Sequence, residues 1–405
     1  MLNSSAASLL LPMDEVQKDH LKSYGIAYWI LRNGESVDWL LNYRGGSFLT
    51  KYSKPLEDEC KIRGVSYEVL PDAKTNSILA EVSDPSVNMD VVKLEKAPKM
   101  AVYSPKNKLP WDDAVTLVLK YAEIPYDVLY DEEVIKGDLL KYDWLHLHHE
   151  DFTGQYSKFY GSMRFQPWYQ EDVRGQEALA HKLGFKKVSQ MKLAVAKNIH
   201  EFCGGGGFLF AMCSGTDTFD IALAASGTDI CESMFDGDPA DYRAQSKLDY
   251  SQTFAFQNFK LDMNPMSHQF SDIDVGSYRQ VERTRDFFTL FDFSAKWDVV
   301  PSMLTQNHDK VIKGFMGLTT AFNKSRIKPD VTIMGDMKTQ NEARYIHGEY
   351  GKGQWTFYGG HDPEDYQHAV GDPPTDLKLH PNSPGYRLIL NNVLFPAAKK
   401  KKQKT

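Results

Sequence analysis

Four glycines, Gly204 to Gly207, lead directly into five apolar residues, Phe208-Leu209-Phe210-Ala211-Met212, then Cys213-Ser214-Gly215 and a second apolar stretch carrying Phe219, Ile221, Ala222, Leu223 and Ala225. Upstream, Val188, Met191, Val195, Ile199 and Phe202 recur at helical spacing. Glycine ends a helix, and five consecutive apolar residues suit a strand covered on both faces, so the order predicted is helix, buried strand, sharp turn, helix. Such a segment needs a layered sheet with helices packed against it. The turn also suits a nucleophile. Small residues two places either side of Cys213, namely Ala211 and Gly215, let a helix begin at once after a strained residue. That helix points its N-terminus at the sulfur, where Ser214 and Gly215 are candidates for binding substrate and an oxyanion. The competing use is a small buried cysteine at a strand end.

The rest of the chain repeats the alternation of strand and helix. An apolar run, Ser8 to Met13, precedes a helix predicted over His20–Arg32. A strand at Val37–Tyr43, a helix at Pro55–Ile62 and a strand at Ser66–Leu70 follow, and together they predict a parallel N-terminal α/β unit over 1–95. Residues 82–99, with Asp84-Pro85-Ser86 and mixed charges, read as a linker. A second unit spans 96–398. Its strands are predicted at Met100–Tyr103, Pro125–Tyr130, Tyr142–Glu150, 208–212, Asp330–Met334 and Tyr350–Tyr358, with helices at Trp111–Ala122 and Tyr386–Leu394. Residues 232–325, rich in Asp, Gln and aromatics, read as an insertion with a helix near Asp309–Gly317. The fold expected is α/β, with parallel sheets in three layers.

A cysteine nucleophile needs a base with a third group to orient it. His361 lies just past a strand in Gly359-Gly360-His361-Asp362-Pro363-Glu364, and either Glu364 or Asp362 could orient its ring. The same residues also suit a polar turn with no chemistry. His146, His148, His149, Glu150 and Asp151 gather at the end of another strand, where open α/β sheets place ligands. Alternation sends His146 and His148 to one face and His149 to the other, so His146 and His148 with Glu150 are the metal candidates, against a use as hydrogen-bonded cleft residues. Ser214-Gly215-Thr216-Asp217-Thr218 looks like a Ser-Gly-Gly-x-Asp-Ser pyrophosphate loop one glycine short, and Ser-Gly-Thr-Asp recurs at Ser226 to Asp229. With no GxxxxGK[ST] loop and no GxGxxG after a strand, no nucleotide or other cofactor is expected.

Composition removes other classes. Of 405 residues, 42% are hydrophobic, enough for a full core. The net charge of −7 becomes −12 once the five lysines of the last seven residues are set aside, so an acidic body carries a basic, disordered tail at 399–405. An acidic body argues against nucleic acid. Four cysteines (Cys60, Cys203, Cys213, Cys231), irregularly spaced, form neither a disulfide scaffold nor a CxxC zinc pair. No stretch reaches the roughly 18 apolar residues that span a bilayer, and the start has no signal-peptide pattern.

From Tyr103 onward the chain resembles the class I glutamine amidotransferase-like superfamily. The resemblance implies a flavodoxin-like domain in which a cysteine at a strand elbow, here Cys213, attacks an amide, with His361 and Glu364 matching the base and its orienter. The spacing is His-x-x-Glu where that family has His-x-Glu, and His148-His149-Glu150 stand where it has an oxyanion glycine pair. The whole chain is similar to a group of Bacteroidetes proteins labelled asparagine synthetase B, through Ile26-Ala27-Tyr28-Trp29, Trp39 to Gly46, His146 to Phe152, Tyr358 to Glu364 and the lysine tail. That group often carries a signal peptide, which implies export to the periplasm with the leader removed; a complete chain implies the cytoplasm. ATP-dependent synthesis is not expected, because Leu2 stands where those synthetases place a cysteine and the pyrophosphate loop is broken. The function expected is cysteine-dependent hydrolysis of a C–N bond in a small-molecule or peptide amide. The alternative is a protein that keeps the fold to bind peptide or carbohydrate, with Trp297, Phe287, Phe288, Phe291 and Phe293 as its surface.

Overall fold

The computed structural model describes residues 6–105, 113–276, 281–367 and 372–399. It is a mixed α/β structure with two sheets. The first begins with β1 (Ala6–Leu11) and α1 (His20–Arg32), whose start is capped by Asp19 accepting from Lys22 N. Then come β2 (Val37–Leu41), β3 (Ser47–Lys51), α2 (Lys54–Arg63), β4 (Glu68–Pro71), α3 (Asp72–Ser83) and β5 (Asp90–Leu94). Their order in the sheet is β4-β1-β3-β2-β5, and every pairing is antiparallel.

The parallel N-terminal sheet expected from alternation is therefore corrected. A tight turn joins β2 to β3, with left-handed backbone at Asn42 (φ 61°), Arg44 (φ 47°), Gly45 (φ 76°) and Gly46 (φ 90°). The hairpin places β3 between β1 and β2. Those two strands run parallel to each other but never pair. Glycine is required at 45 on a second count, since a Cβ there would sit 2.3 Å from Met13 O. The segment expected to be a linker holds β5, which pairs with β2 along its full length.

The second sheet holds β6 (Met100–Tyr103), β7 (Asp127–Leu129), β8 (Trp144–Leu147), β9 (Phe208–Met212), β10 (Phe287–Leu290), β11 (Val311–Lys313), β12 (Phe322–Asn323), β13 (Thr332–Met337), β14 (Glu342–Tyr350) and β15 (Gly353–Tyr358). The path is β11-β10-β13-β14-β15-β9-β8-β6-β7, with β12 on β14. From β15 to β7 all pairs are parallel; from β15 to β11 all are antiparallel. Numbered in chain order, the five parallel strands lie 2-1-3-4-5. The helix expected near Asp309–Gly317 is instead edge strand β11, antiparallel to β10. Its apolar residues Val311, Ile312, Phe315 and Met316 imitate helical spacing over a stretch that glycines at 314 and 317 break up.

Side chains of the parallel strands alternate between two helical layers. Val102, Trp144, Phe210 and Met212 pack with α1, α4 (Ala114–Tyr121) and the C-terminal helix Pro384–Leu394. Ala101, Leu145, Leu147, Leu209 and Ala211 pack with the helices Val188–Gly205 and Ser214–Ala224. The first of these cores also takes in Leu9, Trp39 and Phe48 of the N-terminal sheet. Arg387, wholly buried, ties the two regions together: it donates to Tyr24 Oη and Met13 O at 3.0 Å each, and to Gly45 O. Among the described residues no helix is long and apolar enough to cross a membrane. Of the basic tail only Lys399 is described, paired with Glu95 at 3.2 Å; the rest, like Trp111 and Asp112 of the expected 111–122 helix, lies outside the described residues.

Candidate functional site

Cys213 ends β9 with φ 48° and ψ −141°, a left-handed conformation that costs a side-chain-bearing residue on the order of 1–3 kcal/mol. Packing enforces it. The next helix starts at Ser214, and Gly215 N donates to His148 O at 2.5 Å. A Cβ on Gly215 would lie 2.3 Å from that same oxygen and 3.1 Å from Leu147 Cβ, so only glycine lets the helix pack so close to β8. Cys213 N donates to Gly360 O at 3.2 Å, which stitches the elbow to the end of β15 on its other side. Gly215 thus has its N–H committed to the strand. Ser214, the first helical residue, has an N–H that no carbonyl of its own helix can accept.

In the order β15-β9-β8 the cysteine strand lies between the strands that lead to His361 and His148. The register pairs Tyr358 with Met212 and Leu147 with Ala211, so both histidines leave the sheet at its carboxyl edge beside the elbow. There the rings gather. His361 meets His148 edge-on with centroids 4.6 Å apart, and stacks on His149 at 5.4 Å and on Phe315 at 5.1 Å. His149, expected on the opposite face from His148, comes back to this cluster because β8 stops at Leu147 and the chain turns; its ring lies 4.1 Å from that of His148.

His146 and His148 share a face as alternation requires, and both turn to Asp113, whose Oδ1 is 3.3 Å from His146 Nε2 and from His148 Nδ1. Asp113 is fully buried and caps α4, accepting from Val115 N and Thr116 N. Burial alone would raise its pKa, but the two imidazoles beside it hold the carboxyl well below the usual carboxylate range. Burial lowers the His148 pKa, against the opposing pull of Asp113. No sequence pattern pointed to Asp113, although an Asp just before an apolar helical run is a helix-start signal that could have.

Glu150 goes elsewhere. It accepts from Tyr130 Oη at 3.4 Å, beside the buried pair of Lys192 and Asp131 at 3.0 Å, and burial pushes its carboxyl up to about 7. Neither expected orienter is uncommitted. Glu364 pairs with Lys313 at 2.5 Å and His380 at 3.3 Å, while Asp362 accepts from Glu364 N, Asp365 N and, at 2.6 Å, Thr375 Oγ1.

A strap over 315–320, from the insertion side of the chain, covers the elbow. Cys213 Sγ lies 3.8 Å from Leu318 O, and the cysteine is 9% exposed. Thr319, left-handed at φ 52°, reaches Asp217 Oδ1 at 3.4 Å, and the buried Arg344 donates to Thr320 O at 3.0 Å while pairing with Asp286 at 2.6 Å. Burial, reinforced by Asp274, raises the Asp217 pKa well above the usual carboxylate value, against the hydrogen bonds it accepts from Thr218 N and Thr319. Of the aromatics expected to form a binding surface, Phe288 is core, whereas Trp297 is 66% exposed on the rim of a cavity of about 580 Å³. That cavity also touches Phe208 and Gly353, at the sheet edge opposite Cys213.

No family model matches the chain, and no curated protein matches it. Among solved structures, a cytoplasmic protein from Salmonella typhimurium is similar at 11% identity and TM-score 0.34, over 77% of this chain and 91% of that one. A second cytoplasmic protein from Salmonella typhimurium LT2 gives 12% and 0.33, over 71% and 86%. A catalytic mutant of a GH42 beta-galactosidase from G. stearothermophilus gives 13% and 0.28, over 65% of this chain and 27% of that one. At such TM-scores these likenesses carry no argument about this chain.

Proposed function

We propose that the protein is a cysteine-dependent hydrolase of a C–N amide bond, built on a class I glutamine amidotransferase-like core. The observation that carries the reading is the elbow: a non-glycine residue at φ 48° between a buried parallel strand and a helix N-terminus. The 2-1-3-4-5 order of the parallel strands is that of flavodoxin-like sheets, which place ligands outside the carboxyl ends of their strands. In this reading His361 takes the thiol proton, the Cys213 thiolate adds to the amide carbonyl, and the oxyanion sits against Ser214 N–H and the start of its helix. The proton returns to the leaving amine, and water then cleaves the thioester. The His361 ring is oriented by stacking between Phe315 and His149.

The test is ammonia or amine release from a panel of free and peptide-bound amides, glutamine and asparagine among them. Activity that disappears in Cys213→Ala and falls in His361→Asn supports the proposal. A folded protein that hydrolyses none of them, or hydrolyses them equally with Cys213→Ala, refutes it. The exposed Trp297 beside its cavity favours a second reading, a ligand-binding protein that uses the opposite edge of the sheet; peptide or glycan binding lost in Trp297→Ala would establish that instead.

A further inference from the structure

Three imidazoles meet at the carboxyl edge of the sheet. One ligand-capable nitrogen from each of His148, His149 and His361 lies within 4.8 Å of the other two. In a tetrahedral site with metal–nitrogen bonds of about 2.0–2.1 Å, ligand nitrogens lie about 3.4 Å apart. The three rings that carry these nitrogens are already in mutual contact. The second observation concerns what stands behind them. His148 is 2% exposed, neither of its ring nitrogens makes a hydrogen bond among the described residues, and its Nδ1 lies 3.3 Å from the buried Asp113 carboxylate while Nε2 has no such group beside it. A carboxylate beside one ring nitrogen favours the proton there and leaves the lone pair of the other nitrogen to bind a cation, the arrangement that commonly backs metal-ligating histidines.

Asp229, Cys231 and Asp236 also cluster, but Lys187 Nζ already sits 2.8 Å from Asp229 and 3.0 Å from Asp236, so that group is neutralised from within. The histidine cluster contains three neutral-capable nitrogen donors and a carboxylate placed to support one of them.

We propose that His148, His149 and His361 bind one divalent first-row transition-metal cation of the zinc class, with Asp113 as the positioning residue behind His148. Imidazole donors select such ions over magnesium and calcium. The inference is independent of the hydrolase reading. If both hold, a bound cation takes the His361 lone pair, and the metal-loaded chain keeps Cys213 without its base.

The experiment uses the full chain without a histidine tag, stripped with chelator and titrated with zinc against a chromophoric competitor. The expected result is one zinc per chain with a Kd below about 1 µM. His149→Ala and His361→Ala each weaken binding at least tenfold, and Asp113→Asn, which keeps the helix cap, weakens it by about 10–100-fold. His181→Ala, on the exposed last turn of the helix Pro167–Lys182, leaves it unchanged. Circular dichroism checks the fold of each variant, and His149→Gln at a half-buried position serves if an alanine variant unfolds. No zinc bound at that strength, or zinc bound equally by both His149 and His361 variants, overturns the proposal. Zinc binding with an amide panel that stays silent on the zinc-stripped chain would uphold this inference and sink the hydrolase reading; amide hydrolysis by the stripped chain with no zinc bound would do the opposite.

Discussion

If Cys213 is the nucleophile, it must outcompete the other three cysteines for a soft alkylating agent by a margin that can be worked out. Cys60 and Cys203 are fully buried, and burial pushes both thiols up to about 12; Cys231, equally buried and close to Asp236 and Asp229, is raised well above the ordinary value. At pH about 7.5 a thiol of pKa about 12 is ionised to roughly 3 parts in 100,000, whereas one at the ordinary 8.5 is about a tenth thiolate. Burial thus leaves Cys60 and Cys203 roughly three thousand-fold poorer in thiolate than an ordinary solvated thiol. Access adds to this, since those three side chains are wholly enclosed whereas Cys213 keeps 9% exposure under Leu318. The assay is a time course of iodoacetamide labelling on the native protein, with each cysteine followed by peptide mass spectrometry. Cys213 should be modified well before the others, and His361→Asn should slow it alone. Labelling of Cys213 no faster than Cys203 would refute the reasoning, because the strained elbow would then be holding an inert thiol.

Further outcomes follow from the packing. Gly215→Ala forces a methyl to within 2.3 Å of His148 O, and should lower unfolding free energy in urea by about 1–3 kcal/mol and displace β8 from the elbow. Arg387→Met leaves Met13 O and Gly45 O without their buried donor and should cost about 3–5 kcal/mol, read as an early loss of near-UV dichroism. Lys192→Met abandons the Asp131 carboxylate among Tyr103 and Tyr130, and is expected to destabilise by about 3–5 kcal/mol, more than Lys192→Met combined with Asp131→Leu. His347 is buried in β14 with its pKa lowered by burial to about 4. The unfolded chain takes up that proton below about 6.5 while the folded one does not, so stability falls as pH drops from about 6.5 to 4, by about 3 kcal/mol in all. His347→Gln should flatten that part of the pH–stability curve.

The sequence exposed the elements whose pattern is local. The apolar run of β9, the helical spacing before it and the small residues around Cys213 each carry their meaning in a few neighbouring side chains, and all are where periodicity put them. Strand direction was not legible in the N-terminal unit, because it was decided by a hairpin at Asn42–Gly46 whose effect is to interpose one strand between two others. β14 escaped notice for another reason. Its Glu342, Arg344 and His347 look like solvent-facing polar residues, yet all are buried, with Arg344 paired to Asp286 and His347 held at 3.1 Å from Thr356. Polar residues with partners across the fold cannot be told from surface by pattern alone.

The same limit explains the site. Cys213 and His148-His149 announced themselves singly, but the relation between them comes from sheet order, which sets β9 between β8 and β15. Once that order is given, two consequences are forced: the elbow has imidazoles on both sides, and the histidines that flank it are within ring contact of each other. An arrangement that needed only a base for a thiol would require one of these rings. Three rings with a buried carboxylate behind one of them exceed that need, and the proposed cation site accounts for the surplus. Comparing alkylation rates of Cys213 in zinc-loaded and zinc-stripped protein measures directly whether the base is shared: equal rates would mean that the cation and the thiol do not compete for His361, and a slower loaded form would mean that they do.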